Sequence, residues 1–122
     1  MKKIELTKAE EQIMQIIWYK QKVFVKDVIK ELPHPKPAYS TVSTIIRILV
    51  DKGAVGYKAY GKTHEYFPLI EKEIYSEQQV KSVVSRFFDN SPKKLLSFLL
   101  KEEDIDVNEL DEIMKLIKQH KK

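Results

Sequence analysis

Apolar residues recur along this chain at helical spacing, in runs that break at prolines and glycines, and most breaks lie beside a residue suited to start or stop a helix. Thr7-Lys8-Ala9-Glu10 has the Thr-x-x-Glu form of a capping box, in which a hydroxyl and a carboxylate each satisfy an orphan backbone N–H. It predicts a first helix running to about Lys20, with Ala9, Ile13, Ile16 and Ile17 on one stripe and Met14 and Trp18 widening it. Val25, Val28, Ile29 and Leu32 predict a short second helix that Pro33 ends, and Val23-Phe24 before it reads as a brief edge strand. Pro33-His34-Pro35-Lys36-Pro37 is too rich in proline for a helix and reads as a stiff connector. Ser40 then suits the N-cap of a third helix, whose stripe of Val42, Ile45, Ile46, Leu49 and Val50 is ended by Gly53.

The period then changes. Gly53, Gly56 and Gly61 are the chain's 3 glycines, and around them lie alternating, aromatic-rich segments from Val55 to Tyr60 and from Thr63 to Phe67. This pattern predicts a β-hairpin turning at Gly61-Lys62. Beyond Pro68 the helical spacing returns. Ile70 and Ile74, then Val80, Val83, Val84, Phe87 and Phe88, form one stripe; Ser91-Pro92 is an N-cap followed by proline at the first helical position, opening a helix through Leu95, Leu96, Leu99 and Leu100. Asp106 and Glu109 form an Asp variant of the capping box for a last helix with Leu110, Ile113, Met114 and Ile117. The expected class is mainly α with a small β-hairpin: a winged helix-turn-helix over residues 1–70, then a helical region over residues 71–122.

Composition narrows the function. With 122 residues, 43% hydrophobic and 33% charged, the chain suits one small domain with a real core and a short appendage. The absence of cysteine excludes disulfides, thiolate metal sites and cysteine nucleophiles. No apolar run approaches the ~18 residues of a membrane span, so no membrane insertion is expected. The N-terminal MKKIELTKAEE carries acidic residues where a secretory signal needs apolar ones, which makes the cytoplasm the default location. The net charge of +4 is unevenly placed: residues 1–70 hold 12 basic against 7 acidic side chains, and residues 71–122 hold 10 against 11. The first part is therefore the candidate nucleic-acid face.

In a winged helix-turn-helix the third helix enters the major groove and the wing touches neighbouring backbone or minor groove. On a helical wheel the third helix opposes its apolar stripe with Ser40, Ser43, Thr44, Arg47 and Asp51, and Thr41 lies near the N-terminal rim. Short hydroxyl side chains let a helix approach base edges closely, where they bond bases or phosphates and where Thr methyls meet thymine methyls. Ile48 lies near this face, and packing under the wing and contact with a thymine methyl both stay open for it. The wing offers Lys58, Lys62 and His64 around Tyr57, Tyr60 and Tyr66; Lys62 at the turn suits phosphate, while the aromatic residues suit ordinary cross-strand pairs. Only Arg47 and Arg86 are arginines among 22 basic residues, so the bidentate contact to guanine has one candidate donor, Arg47.

Catalysis finds no support in the residues. His34, His64 and His120 are scattered, phosphate-binding glycine loops and nucleophile motifs are absent, and Glu102, Glu103 and Asp104 read as a surface charge run. No cofactor or metal is implied. A winged helix used only for protein contacts stays open; it predicts no retention on DNA at low salt.

Together, Leu6-Thr7-Lys8-Ala9-Glu10, Ile16-Ile17-Trp18, Tyr39-Ser40-Thr41-Val42-Ser43-Thr44 leading to Leu49-Val50-Asp51-Lys52-Gly53, and the wing from Gly61 to Tyr66 resemble the penicillinase-repressor (BlaI/MecI) family of bacterial transcription repressors. The order and spacing of these segments carry the likeness, and it extends over essentially the whole chain. It implies a homodimer on a pseudo-palindromic operator in double-stranded DNA, with the C-terminal helices as the dimer interface. It also places DNA contacts at the start of the recognition helix, on Ser40, Thr41, Ser43 and Thr44, with Tyr39 and Arg47 beside them. Some members carry Lys or Arg where this chain has Ser40 and Ser43, which implies a different operator sequence.

The resemblance further implies control of β-lactam resistance or related genes, and inactivation by cleavage once a membrane sensor protease detects a β-lactam. The family's Asn-Phe cleavage pair falls on Ser97-Phe98, of which only Phe98 matches. Copper sensing through a cysteine-rich tail, used by one branch, is excluded by the lack of cysteine. Dimerisation has independent support, since roughly fifty residues after the wing carry more large apolar side chains than a segment of that length can enclose alone. The expected interface residues are Val80, Val83, Val84, Phe87, Phe88, Leu96, Leu99 and Ile113.

Overall fold

The computed structural model describes residues 4–102 together with residues 108, 109, 111, 112 and 115. Along them run α1 (Lys8–Lys20), α2 (Val25–Glu31), α3 (Tyr39–Asp51), β1 (Val55–Tyr60), β2 (Thr63–Pro68), α4 (Lys72–Phe87) and α5 (Pro92–Glu102). Three helices followed by a two-stranded hairpin make a winged helix-turn-helix. The chain divides between Gln78 and Gln79 into two compact units.

In the first unit α1 opens on the expected capping box: the Glu10 N–H donates to Thr7 Oγ1 at 3.2 Å, and the Thr7 N–H donates to Glu10 Oε1 at 3.1 Å. Its inward face carries Ile13, Met14, Ile17 and Trp18. Ala9, expected on that stripe, is exposed, and the inward position beside it belongs to Glu10. A carboxylate is tolerated there because the capping box and Lys52 satisfy it. The N–H of Phe24 donates to the Asp27 carboxylate at 2.9 Å at the start of α2. Val25, Val28 and Leu32 enter the core from this helix and its end. The proline connector is tied back to α2 by Lys36, whose ammonium donates to the carbonyls of Ile29 at 3.0 Å, Lys30 at 2.8 Å and Leu32. A lysine at a helix C-terminus satisfies orphan carbonyls and opposes the negative end of the dipole.

The start of α3 corrects the sequence reading. Its N-cap is Ala38, not Ser40: Ala38 is extended, and its carbonyl accepts from the N–H groups of Thr41 and Val42 at 3.1 and 3.2 Å. Ala38 is the last extended residue before the helix, so Ser40 stands in the first turn. Val42, Ile46 and Leu49 are buried, and Gly53 follows the helix at φ +83°, a conformation that favours glycine.

β1 and β2 pair antiparallel with Val55 opposite Pro68, Tyr57 opposite Tyr66 and Tyr60 opposite Thr63, turning at Gly61-Lys62 as expected. Gly56 faces Phe67, and a Cβ on Gly56 would stand 2.8 Å from the Phe67 ring, so the glycine makes room for the aromatic. The expected edge strand at Val23-Phe24 contracts to one bridge, in which Val23 and Tyr66 exchange backbone hydrogen bonds of 2.9 and 2.7 Å while Phe24 caps α2. Ile70 precedes α4 rather than opening its stripe, and it is buried with Val23, Ala54, Val55 and Tyr66 in the same core. The indole N–H of Trp18 donates to the Ile70 carbonyl at 2.8 Å, and the Trp18 and Tyr75 rings lie 5.6 Å apart, which fixes the segment entering α4 onto α1.

In the second unit the Ser91 hydroxyl accepts from the Lys94 N–H at 3.2 Å, the cap expected for α5, and Lys94 pairs with Asp89 at 2.7 Å. The Phe88 and Phe98 rings stand 5.9 Å apart. Of the expected last helix, Asp106, Leu110, Ile113, Met114 and Ile117 lie outside the described residues. Among the described residues no helix is long and apolar enough to cross a membrane.

Candidate nucleic-acid interface

Burial of Val42, Ile46 and Leu49 fixes the rotation of α3 and turns the opposite side outward. Ser40, Thr41, Thr44, Arg47, Ile48 and Asp51 are exposed along it, and Ser43 at its edge is half-buried. Tyr39 in the first turn is exposed as well. Arg47 has no ion-pair or hydrogen-bond partner among the described residues, so its five donors are available to a ligand. No side chain caps the start of α3, and a helix N-terminus with open N–H groups favours an anion. Asp51 lies at the other end, about 16 Å along the axis from Ser40, where a carboxylate opposes phosphate. Electrostatics therefore favours presenting the N-terminal half of α3 to a polyanion.

Ile48 is 38% exposed and is not among the side chains packed on the core. The Thr44 hydroxyl donates to the Ser40 carbonyl one turn back, at 2.9 Å.

On the wing, Lys58 stands opposite Glu65 across the strands, and its ammonium lies 5.3 Å from the centre of the Tyr60 ring. Lys62 is exposed at the turn. Tyr57 stacks on His64 with ring centres 4.5 Å apart, an ordinary cross-strand use of both side chains. Burial pushes the hydroxyl of Tyr66, on β2, above its ordinary pKa.

Beside the shared core, a polar tie between the end of α3 and α1 comes from Lys52, which the sequence reading passed over. Its ammonium donates to Glu10 Oε1 at 2.5 Å and to the Glu5 carbonyl at 2.8 Å. Burial raises the Glu10 carboxyl, but the Lys52 ammonium and the hydrogen bonds from Thr7 outweigh it and hold the pKa below the ordinary value. Lys36 was missed as well: the partners of Lys52 are distant in sequence, and those of Lys36, though only four to seven positions back, are reached through the fold of the proline connector and not through helical spacing.

The expected interface residues of the second unit fall on α4 and α5, with Phe88 just beyond α4. Val80 is 53% and Phe87 69% exposed, whereas Val83, Val84, Phe88, Leu96 and Leu99 are half-buried. Ile113 lies outside the described residues. Ser97 and Phe98 are both exposed and lie within α5.

Comparison with known proteins converges on the same arrangement. The chain is 28% identical over 123 residues to the penicillinase repressor of Bacillus licheniformis, a match covering 99% of this chain and 96% of that protein. It is 25% identical over 117 residues to the methicillin resistance regulatory protein MecI of Staphylococcus aureus (strain N315), covering 95% of each. The solution structure of the monomeric form of B. licheniformis BlaI in complex with the blaP half-operator matches at 32% identity and a TM-score of 0.50, over 62% of this chain and 94% of that one. The penicillinase repressor family model matches residues 6–119. With a match across nearly its full length and the winged helix in place, the chain belongs to the penicillinase repressor family.

Proposed function

We propose that the chain is a transcription repressor that binds an operator in duplex DNA through α3 and the β1–β2 wing. The observation that carries this reading is the outward line of α3, where Ser40 and Thr41 stand exposed at the uncapped, positive end of the helix and Thr44 and Arg47 continue the line along it. Tyr39 and Ser43 flank that line, and Lys58 and Lys62 on the wing supply phosphate contacts. The BlaI structure on a half-operator supports the same use of the fold.

The repressor acts as a homodimer on a pseudo-palindromic site, because two-fold symmetry in the protein is mirrored in the operator. Residues 71–122 form the dimerisation region, with the exposed Val80 and Phe87 among its contacts. The names of the relatives support control of β-lactam resistance or related genes. Inactivation by a sensor protease at Ser97-Phe98 requires α5 to open locally, since both residues are helical.

The test is titration of the full chain with duplex DNA at several salt concentrations. If each subunit neutralises about four phosphates, log K falls against log salt with a slope of roughly −7 for the dimer. Absence of any retention on DNA at low salt overturns the proposal in favour of a protein-contact module.

A further inference from the structure

Building on the DNA-binding reading, we propose that Thr44 and Ile48 form a methyl-bearing patch that reads the 5-methyl groups of thymine in the major groove. Two observations carry it. The single hydroxyl proton of Thr44 is engaged by the Ser40 carbonyl, so toward a base edge this side chain offers an acceptor lone pair and a methyl group, and no donor. One turn further along the same exposed line stands Ile48, an entirely apolar side chain that is 38% exposed.

The surroundings distinguish this from an ordinary apolar docking surface. Thr44 and Ile48 are flanked by Ser40, Arg47 and Asp51, so the apolar area is one or two side chains wide and too small to seat a protein partner. In the major groove a patch of this size has a natural counterpart, because the thymine methyl is the one apolar group on any base edge. Side chains four apart on a helix stand about 6 Å from each other. With bases rising about 3.4 Å per step, the two residues address thymines one or two steps apart. Arg47 beside them supplies the complementary polar reading, its guanidinium matching guanine.

The experiment begins with selection of duplexes from a randomised library by the full chain. Each thymine of the selected duplex is then replaced singly by deoxyuridine, which removes the methyl and leaves every hydrogen-bonding group in place. Wild type, Thr44→Ser, Thr44→Val and Ile48→Ala are titrated against the set, with circular dichroism confirming that each folds. Loss of each methyl that is read should weaken wild-type binding about fourfold, and on the order of fifteenfold when both half-sites are changed. Thr44→Ser and Ile48→Ala should each lose discrimination at a different thymine, and Thr44→Val, which keeps a methyl there, should retain it. Equal wild-type affinity for thymine and deoxyuridine duplexes overturns the inference while leaving specific DNA binding intact. Discrimination that survives in both Thr44→Ser and Ile48→Ala overturns it too. Failure to enrich any duplex removes the DNA-binding reading itself, and this inference with it.

Discussion

Lys52, the residue that closes α3, reaches across the core to Glu10 in the first turn of α1, with its ammonium 2.5 Å from Glu10 Oε1. Glu10 is only 6% exposed, so the end of α3 is moored to a nearly buried carboxylate. Replacing one partner of such a pair strands the other, and this cost exceeds the net worth of the pair. Lys52→Met should destabilise the first unit by about 2 kcal/mol, allowing for the partly exposed lysine. Urea unfolding followed by tryptophan fluorescence measures it, and an unchanged midpoint would show that the pair contributes nothing.

The same pair makes stability depend on pH. The Glu10 carboxyl is held below its ordinary value of 4.5, because Lys52 and Thr7 outweigh the effect of burial. A depressed carboxylate stabilises the fold fully above its unfolded pKa, and this contribution fades as pH falls through the folded pKa. The stability difference between wild type and Glu10→Gln should therefore be flat between about pH 7 and pH 5.5 and shrink at lower pH. Denaturant titrations across that range check it; a difference that grows on acidification would falsify the assignment.

Gly56 faces Phe67, and an added Cβ would stand 2.8 and 2.9 Å from two ring atoms and 3.1 Å from Leu69 Cδ2. Overpacking of this kind costs about 1 to 3 kcal/mol. Gly56→Ala should lower the melting temperature measured by calorimetry, and Phe67→Leu in the same chain should restore part of the loss. Additive effects of the two substitutions would mean that the ring and the glycine are independent.

Lys62 at the wing turn carries a mobile ammonium that suits phosphate and cannot easily read bases. Lys62→Ala should weaken binding to selected and random duplexes alike, and should flatten the salt slope of a dimer by roughly two units. Titrations at several salt concentrations report both effects. Loss confined to the selected duplex would instead make Lys62 a base-reading residue.

Phe87 and Val80 expose apolar surface that an interface between subunits would cover. Phe87→Glu should shift the chain from dimer to monomer in sedimentation at micromolar concentration and leave Trp18 fluorescence unchanged. A wild-type chain that sediments only as a monomer would remove the dimer model.

The order of helices and hairpin was legible because its signals are local: a capping box at Thr7, proline after Leu32, glycine after Lys52, and alternation on either side of Gly61. The outward line of α3 was legible for a similar reason, since five buried or half-buried apolar positions determine where the remaining residues point. What escaped depends on distance or on backbone. Glu10 and Lys52 are separated by 42 positions, and Trp18 and Ile70 by 52, and no periodicity connects them. The true N-cap of α3, Ala38, escaped because its signal is an extended backbone and no side chain, while the more familiar capping residue, Ser40, stood two places on. Ile48 could not be placed from spacing alone, because its exposure depends on how α3 packs in the fold.

Trp18 is the chain's 1 tryptophan, buried in the first unit with its indole N–H bound to the Ile70 carbonyl. Its emission is consequently a built-in gauge of one unit alone: it responds when the winged helix opens or when the segment entering α4 lifts from α1. Circular dichroism, by contrast, averages over every helix. Followed together through a denaturant series, the two signals will coincide if the units unfold as one and separate if α5 and its neighbours melt on their own, so the chain's cooperativity can be read without attaching any label.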